Sequence, residues 1–177
     1  MPAVSLRAVL ALAALLAAGA LFAALASEWW GGLVPCALCL LGRWPYWVAI
    51  AFALLGLIVP RRLAIGCAAG VLAAMLTSAA IGTVHVGVEA GLWPSPLPGC
   101  VARFTPGGNL DDQLARMPER PAQPCDDPTY LIPALPVSMA AMNLLFSLGV
   151  SAIIGVALLR NRDQIQVDAT SPPRRST

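Results

Sequence analysis

The sequence predicts an all-α membrane protein, a bundle of four transmembrane helices with one long irregular loop. Of its 177 residues, 58% are hydrophobic and 11% are charged, and a water-soluble domain of this size could not bury so much apolar surface. Uncharged runs also approach the ~20 residues that a helix needs to cross a bilayer. Within one transmembrane domain of residues 1–160, we expect spans at about residues 8–27, 36–59, 63–85 and 137–159.

The first apolar run, from Ala8 to Ser27, could instead be a cleaved signal peptide. Arg7 precedes the run, and Ala24, Leu25 and Ala26 near its end resemble a cleavage site. However, the run is longer than the ~7–15 apolar residues of a signal peptide, and further spans follow it. We therefore expect an uncleaved first helix.

The second span needs an early start, because the uncharged run from Trp44 to Val59 is too short to cross a bilayer by itself. It reaches the required length only if its helix begins near Pro35 or Cys36. The pair formed by Cys36 and Cys39 is therefore predicted to lie at a helix N-terminus.

The arginine distribution predicts the orientation, because the chain has no lysine and short loops rich in basic residues stay in the cytoplasm. Seven of the eleven arginines are cytoplasmic if both termini are. The loops at about residues 28–35 and 86–136 then face the periplasm, outside a bacterial inner membrane. Residues 161–177 are polar and are predicted to form a disordered cytoplasmic tail.

The long loop contains ten prolines, which remove backbone donors and favour extended and turn conformations. Within it, Asn109–Met117 has apolar residues at helical spacing after a capping asparagine. This stretch could form a short helix on the membrane surface or a solvated helical turn.

The cysteines separate into an external and a buried group. Cys36, Cys39, Cys100 and Cys125 map to the external side, whereas Cys67 lies inside the third span and is predicted to be a small apolar core residue. Thiols outside an inner membrane meet an oxidising compartment, so the external cysteines are expected to form disulfides unless a metal binds them.

The CxxC pair is more typical of a reactive site than of a structural one. A bridge between cysteines three positions apart constrains the unfolded chain little, and a helix N-terminus stabilises the thiolate of Cys36 or Cys39. Arg43 lies one helical turn beyond Cys39, where its charge would also favour thiolate. Alternatively, Arg43 could only extend to lipid headgroups.

Two other interpretations of the external residues remain. A bridge between Cys100 and Cys125 could be a structural staple or, in an exposed and flexible loop, a disulfide open to exchange. All four external sulfurs could bind zinc, with His85 as a further ligand, but structural zinc sites prefer two closely spaced pairs. No metal site is therefore predicted, and His85, the only histidine, is expected to form a hydrogen bond or contact headgroups.

The chain resembles the disulfide bond formation protein B family. The resemblance rests on PCALCLLGR at Pro35–Arg43, on WPSPLPGC at Trp93–Cys100 with a second external cysteine at Cys125, and on the four spans. It implies an inner-membrane enzyme that reoxidises a DsbA-like periplasmic thiol oxidase. It also implies a membrane quinone, ubiquinone or menaquinone, as electron acceptor, and no nucleic acid as partner.

The resemblance also implies a role for each site residue. Cys100 matches the loop cysteine that the partner thiolate attacks, and Cys125 matches its mate. Cys36 would accept the electrons through a transient bridge to Cys125. Cys39 would meet the quinone, and Arg43 would support quinone binding.

Gly42 and His85 are the two positions at which the match to the family is weaker. Gly42 stands where many family members have an acidic residue, which places in question any quinone contact that depends on that carboxylate. His85 lies near the place where some members have a polar residue close to the quinone, and is the weaker candidate for quinone binding. The rival hypotheses are a paralogue that serves one dedicated partner oxidase, and a protein without redox activity that binds zinc or copper through its external cysteines.

Overall fold

The computed structural model describes residues 5–97, 100, 123–130 and 136–170. These residues form four helices, which we label α1 (Leu6–Trp29), α2 (Ala37–Ile58), α3 (Arg61–Glu89) and α4 (Met139–Thr170). Each contains an apolar segment long enough to cross a membrane, and that of α4 is Met139–Asn161. The predicted all-α bundle of four transmembrane helices is confirmed.

The helices pack side by side in chain order. The most extensive interfaces join α2 with α3 and α3 with α4, whereas α1 packs mainly on α2 and makes a smaller contact with α4. Leu10, Met75 and Ile154 are almost fully buried between the helices. Large apolar side chains such as Leu15 and Leu145 are 72% and 65% exposed, as expected of a surface that faces lipid rather than water.

Small residues allow the third and fourth helices to approach closely. A Cβ atom added at Gly82 would lie 3.2 Å from the Cα atom of Leu144. The backbones of α3 and α4 can therefore touch at this level, which is a common form of helix packing in membranes.

The end of α3 directs the chain back over the bundle. Gly91 adopts a φ of 68°, and the N–H groups of Leu92 and Gly91 donate to the carbonyls of Gly87 (2.9 Å) and Val88 (3.0 Å), which together form a Schellman motif. The indole Nε1 of Trp93 then donates to the carbonyl of Val84 at 3.1 Å. This contact fixes the start of the loop that leads to Cys100.

The C-terminal end of α4 differs from the disordered tail that was predicted from residue 161 onwards. The helix continues to Thr170, because residues 161–170 contain no glycine or proline that would interrupt it. At its base, Arg61 donates from Nη2 to Oδ1 of Asn161 at 3.1 Å and connects α3 with α4. Residues 171–177 and the predicted helix at Asn109–Met117 lie outside the described residues.

Candidate redox site

The CxxC pair lies at the first turn of α2. Cys36 is the N-cap residue, and its Sγ accepts a hydrogen bond from the backbone N–H of Cys39 at 3.3 Å. The same Sγ lies 3.0 Å from Sγ of Cys39, and neither sulfur forms a disulfide. A sulfur in this position lies near unpaired backbone N–H groups and at the positive end of the helix dipole. Both favour the thiolate form.

His85 and Glu89, one turn apart on α3, extend the site towards α4. The Nε2 atom of His85 lies 3.5 Å from Sγ of Cys36 and 3.9 Å from Oε1 of Glu89. The hydroxyl of Ser138 donates to Oε2 of Glu89 at 2.5 Å and also caps α4 by accepting from the N–H of Ala141. The side chains of His85 and Glu89 are only 8% and 10% exposed, so this chain of contacts is largely shielded from solvent.

These contacts act on the acidity of Cys36. The hydrogen bond with the side chain of Cys39 is the largest cause that lowers the pKa of Cys36, followed by those from His85 and the Cys39 backbone N–H. Burial of Cys36 acts in the opposite direction but does not prevail. The pKa of Cys36 is therefore held well below its ordinary value, and Cys36 is the sulfur of the pair that more readily becomes a nucleophile.

The two loop cysteines form a disulfide that lies against the CxxC pair. Cys100 and Cys125 are bonded to each other and pack in one buried cluster with Cys36, Leu38 and Val88. Cys100 is 3% exposed and Cys125 is 1% exposed. The interpretation of this disulfide as exposed is therefore wrong for the conformation described, because apolar side chains at the ends of α2 and α3 cover it.

Cys39 faces a cavity. A cavity of about 500 Å³ lies between the outer halves of all four helices, and its lining includes Cys39 but not Cys36. Most of the wall is apolar, and the polar side chains on it include Glu28, Arg43, Tyr46, His85 and Asn143. A volume of this size, with a few polar groups in an apolar wall, is typical of a site for a small organic molecule.

Arg43 is held at this cavity by a partner that the sequence analysis missed. Its Nη1 atom donates to Oε2 of Glu28 at 2.8 Å, and the two side chains are 18% and 22% exposed. Glu28 comes from the end of α1, so the ion pair joins α1 to α2 beside the cavity. The position of Glu28 at the outer end of the first span was the available signal, but which cation it meets depends on how the helices pack.

A second polar group was also missed. The hydroxyl of Tyr46 donates to Oδ1 of Asn143 at 2.6 Å and lies 3.1 Å from Oγ of Ser147, which in turn donates to Ser78 at 2.9 Å. Tyr46 and Asn143 line the cavity, whereas Ser147 and Ser78 are fully buried behind it. Asn143 and Ser147 are one helical turn apart on α4, and polar residues on one face of a transmembrane helix were the signal that could have identified the group.

The structure also gives the positions of the other residues that were singled out from the sequence. The ligand atoms of Cys36, Cys39 and His85 converge to within 4.8 Å of one another, and Arg43 lines the same cavity as Cys39. Cys67 is buried, and a Cβ atom added at Gly56 of α2 would lie 3.1 Å from the Cys67 Cβ. Cys67 therefore belongs to the packing between α2 and α3.

A comparison with protein families matches residues 6–157 of the chain to the family described as disulfide bond formation protein DsbB. Searches among curated proteins and among solved structures returned no significant match.

Proposed function

Because the chain belongs to the disulfide bond formation protein DsbB family, we propose that it is a membrane thiol oxidase that reoxidises a DsbA-like dithiol protein and passes the electrons to a membrane quinone. Family membership and the four spanning helices make it a multi-pass membrane protein of disulfide bond formation. The quinone, the partner and the role of each residue are parts of the proposal.

The observation that carries the proposal is the different surroundings of the two CxxC sulfurs. Cys36 belongs to the buried cluster of the loop disulfide and does not line the cavity, whereas Cys39 packs against that cluster and also lines the apolar cavity. This difference supports a role of Cys36 in exchange with protein thiols and a role of Cys39 in the reaction with a small molecule. A single dithiol can connect the two reactions because the sulfurs are 3.0 Å apart.

The first half of the reaction is thiol–disulfide exchange. Because Cys100 is 3% exposed in the conformation described, the proposal requires the loop disulfide to move out of its cluster first. A thiolate of the partner then attacks Cys100 and releases the sulfur of Cys125, and the second partner thiol resolves the mixed disulfide. The partner leaves as a disulfide, and Cys100 and Cys125 remain as a dithiol that holds two electrons and two protons. A disulfide between Cys36 and Cys39 takes up these electrons by a second exchange, through a transient bridge between Cys36 and Cys125.

The second half restores the CxxC disulfide. A quinone supplies a two-electron acceptor that takes up two protons when it is reduced to the quinol. Cys39 presents its sulfur to the cavity in which such a ring fits. Arg43 offers guanidinium donors at the wall of this cavity, and His85, which lines the cavity and lies beside Cys36, is placed to accept or donate a proton as the thiols are oxidised.

The setting of the proposed reaction is a bacterial inner membrane. With both termini in the cytoplasm, as the arginine distribution predicts, the loop cysteines and the N-terminus of α2 face the periplasm. A soluble dithiol partner reaches the site from that side, and a lipid-soluble quinone reaches the cavity from within the bilayer.

The direct test is quinone reduction by the protein reconstituted in detergent or nanodiscs with a reduced DsbA-like protein. The loss of quinone absorbance would be recorded with ubiquinone-1 and with a short-chain menaquinone analogue. We expect turnover by the wild type and by the control Cys67→Ser, because Cys67 is a packing residue, and no turnover by Cys39→Ser. Normal turnover by Cys39→Ser, or no quinone reduction by the wild type, would overturn the proposal.

A further inference from the structure

Three side chains from two helices place metal-ligating atoms around one point. Sγ of Cys36 lies 3.0 Å from Sγ of Cys39 and 3.5 Å from Nε2 of His85, and all three atoms lie within 4.8 Å of one another. Cys36 and His85 are buried, and Cys39 is partly buried. Two thiolates and an imidazole are a typical ligand set for zinc and other thiophilic metal ions.

We propose that the reduced CxxC pair and His85 form a binding site for a thiophilic divalent metal ion such as Zn²⁺, and that the bound ion blocks oxidation of the pair. The site exists only while Cys36 and Cys39 are thiols, because a disulfide between them removes both sulfur ligands. Metal binding and oxidation therefore compete for the same two sulfurs.

The distances require only a small adjustment. With Zn–S bonds of about 2.3 Å and a Zn–N bond of about 2.0–2.1 Å, tetrahedral coordination places two sulfurs about 3.8 Å apart and a sulfur and a nitrogen about 3.5 Å apart. The observed separation of 3.5 Å between Cys36 and His85 already fits. The two sulfurs, now 3.0 Å apart, need to separate by less than about 1 Å, and Sγ of Cys39, which lies within 4.8 Å of Nε2 of His85, needs to lie about 3.5 Å from it.

Glu89 lies beside this site. Its Oε1 atom lies 3.9 Å from Nε2 of His85, the same nitrogen that faces Cys36, and its other carboxylate oxygen is held by the hydroxyl of Ser138. The negative charge of Glu89 favours a cation in this largely buried environment.

The chemistry of binding is proton displacement without electron transfer. The thiols of Cys36 and Cys39 lose their protons to solvent, and both sulfurs donate to the ion. A sulfur whose lone pairs are held by the metal cannot attack the loop disulfide or be oxidised to a CxxC disulfide. Occupation of the site would therefore stop electron flow while leaving the disulfide of Cys100 and Cys125 intact.

The site can be tested in a background that leaves no other thiol. In the variant Cys67→Ser/Cys100→Ser/Cys125→Ser, only Cys36 and Cys39 remain of the cysteines. This protein, reduced and then freed of reductant, would be titrated with Co²⁺, whose thiolate charge-transfer and d–d bands report tetrahedral sulfur coordination, and then with Zn²⁺ against a chromophoric chelator. We expect one equivalent of metal and no binding after oxidation of the pair.

Variants then assign the ligands in the same background. Cys36→Ser and Cys39→Ser should abolish the Co²⁺–thiolate bands, and His85→Ala should change the d–d spectrum and weaken binding at least tenfold. Glu89→Gln should weaken binding less than His85→Ala does, because a neighbouring negative charge is lost while all three ligands remain. Thr83→Ala, on the same helix but outside the set, should bind like the background protein.

A functional measurement completes the test and is independent of which molecule oxidises the pair. Reduced wild-type protein would be reoxidised with and without Zn²⁺, and the free thiols would be counted by mass-tagged maleimide. We expect Zn²⁺ to slow reoxidation and a chelator to restore it. The proposal is overturned if the reduced protein binds no stoichiometric metal, or if binding is unchanged in His85→Ala.

Discussion

Nε2 of His85 lies 3.5 Å from Sγ of Cys36, although the two residues are 49 positions apart in the chain. The contact joins the last turns of α3 to the N-cap of α2, and the backbone N–H of Cys39 donates to the same sulfur. Cys39, in contrast to Cys36, lines the cavity. The helix packing therefore makes two chemically different thiols from two neighbouring cysteines.

The first prediction concerns the acidity of Cys36. The hydrogen bond with the Cys39 side chain is the largest cause that lowers the pKa of Cys36, and contacts with His85 also lower it. In the reduced protein, alkylation of Cys36 should therefore reach its maximum rate at a pH below the ordinary value of 9.0. Removal of the Cys39 or the His85 side chain should raise the pH at which labelling of Cys36 is half-maximal. The rise should be larger in Cys39→Ala than in His85→Ala.

Iodoacetamide labelling of Cys36 as a function of pH, followed by mass spectrometry, measures this midpoint. Thr83→Ala is the matched control, because Thr83 lies on α3 and its hydroxyl donates only to the carbonyl of Ala79. A midpoint in His85→Ala equal to that in Thr83→Ala would contradict a role for the imidazole at this sulfur.

The second prediction concerns Glu28, which holds Arg43 beside the cavity at 2.8 Å. Glu28→Gln removes the charge but keeps the shape, so the guanidinium should leave its position more often and the KM for quinone should rise. A partly exposed ion pair is worth about 0.2–1 kcal/mol, which corresponds to an increase of up to about fivefold. Arg43→Ala should raise KM further, because the donors themselves are lost.

The double variant Glu28→Gln/Arg43→Ala tests whether Glu28 acts through Arg43. Its KM for ubiquinone-1 should equal that of Arg43→Ala alone. An additional increase in the double variant would show that Glu28 acts on the quinone by a route that does not involve Arg43.

Local patterns in the sequence were sufficient for the helices and for the choice of candidate site residues. The spans could be predicted because each is a nearly uncharged run of membrane length. Cys36, Cys39 and Arg43 could be singled out because they lie within one stretch of eight residues, where spacing alone places them on neighbouring turns of a helix. The prediction that the loop cysteines are external rests on the orientation that the arginine distribution predicts.

The partners of these residues depend on how the helices rotate against one another. Glu28 and Asn143 lie on helices other than those of the residues they contact, and Ser138, just before α4, contacts α3. No sequence spacing encodes such contacts. The burial of the loop disulfide has the same origin, since Leu38 and Val88 cover it from two different helices. Composition predicted an exposed, proline-rich loop, but apolar side chains at the helix ends bury its two cysteines.

The third prediction concerns Gly87, which supports the loop that leads to Cys100. A Cβ atom added there would overlap the indole ring of Trp93, so Gly87→Val should displace the ring and break its hydrogen bond to the carbonyl of Val84. Exchange between the loop pair and the CxxC pair should become slower, whereas the KM for quinone should not change. Gly66→Ala is the control on the same helix, because the Gly66 position has no neighbour within 4 Å.

Stopped-flow measurement of exchange between the reduced loop pair and the CxxC disulfide, together with protease sensitivity of the loop, would detect the change. Equal exchange rates in Gly87→Val and Gly66→Ala would show that the position of Trp93 does not matter for the presentation of Cys100.

The fourth prediction concerns the order of attack on the loop disulfide. A reduced DsbA-like partner that keeps only its attacking cysteine cannot resolve the mixed disulfide by itself, so when it is mixed with the wild-type protein it should remain attached to Cys100, with Cys125 released as a thiol. Non-reducing electrophoresis and mass spectrometry would identify the adduct. Cys100→Ser should give little adduct, and accumulation on Cys125 instead of Cys100 would reverse the proposed order.

The fifth prediction concerns Asn143 at the wall of the cavity. Its Oδ1 atom accepts hydrogen bonds from Tyr46 (2.6 Å) and Ser78 (3.4 Å), which turns the amide nitrogen away from these hydroxyls. Because Asn143 lines the cavity, that nitrogen is available to donate to a carbonyl oxygen of a quinone ring. Asn143→Leu should therefore raise the KM for ubiquinone-1, and it should also lower stability by about 1 kcal/mol, the usual scale for a lost hydrogen bond between transmembrane helices.

Two further variants separate binding from stability. Tyr46→Phe removes the strongest constraint on the amide orientation and should raise KM less than Asn143→Leu, because the amide itself remains. Ser151→Ala is the control on α4, since the hydroxyl of Ser151 is buried without a hydrogen-bond partner among the described residues. Its loss should change neither the KM for ubiquinone-1 nor the stability. If Asn143→Leu lowers stability but leaves KM unchanged, the polar group only packs the helices, and the cavity holds its ligand through Arg43 and the apolar wall.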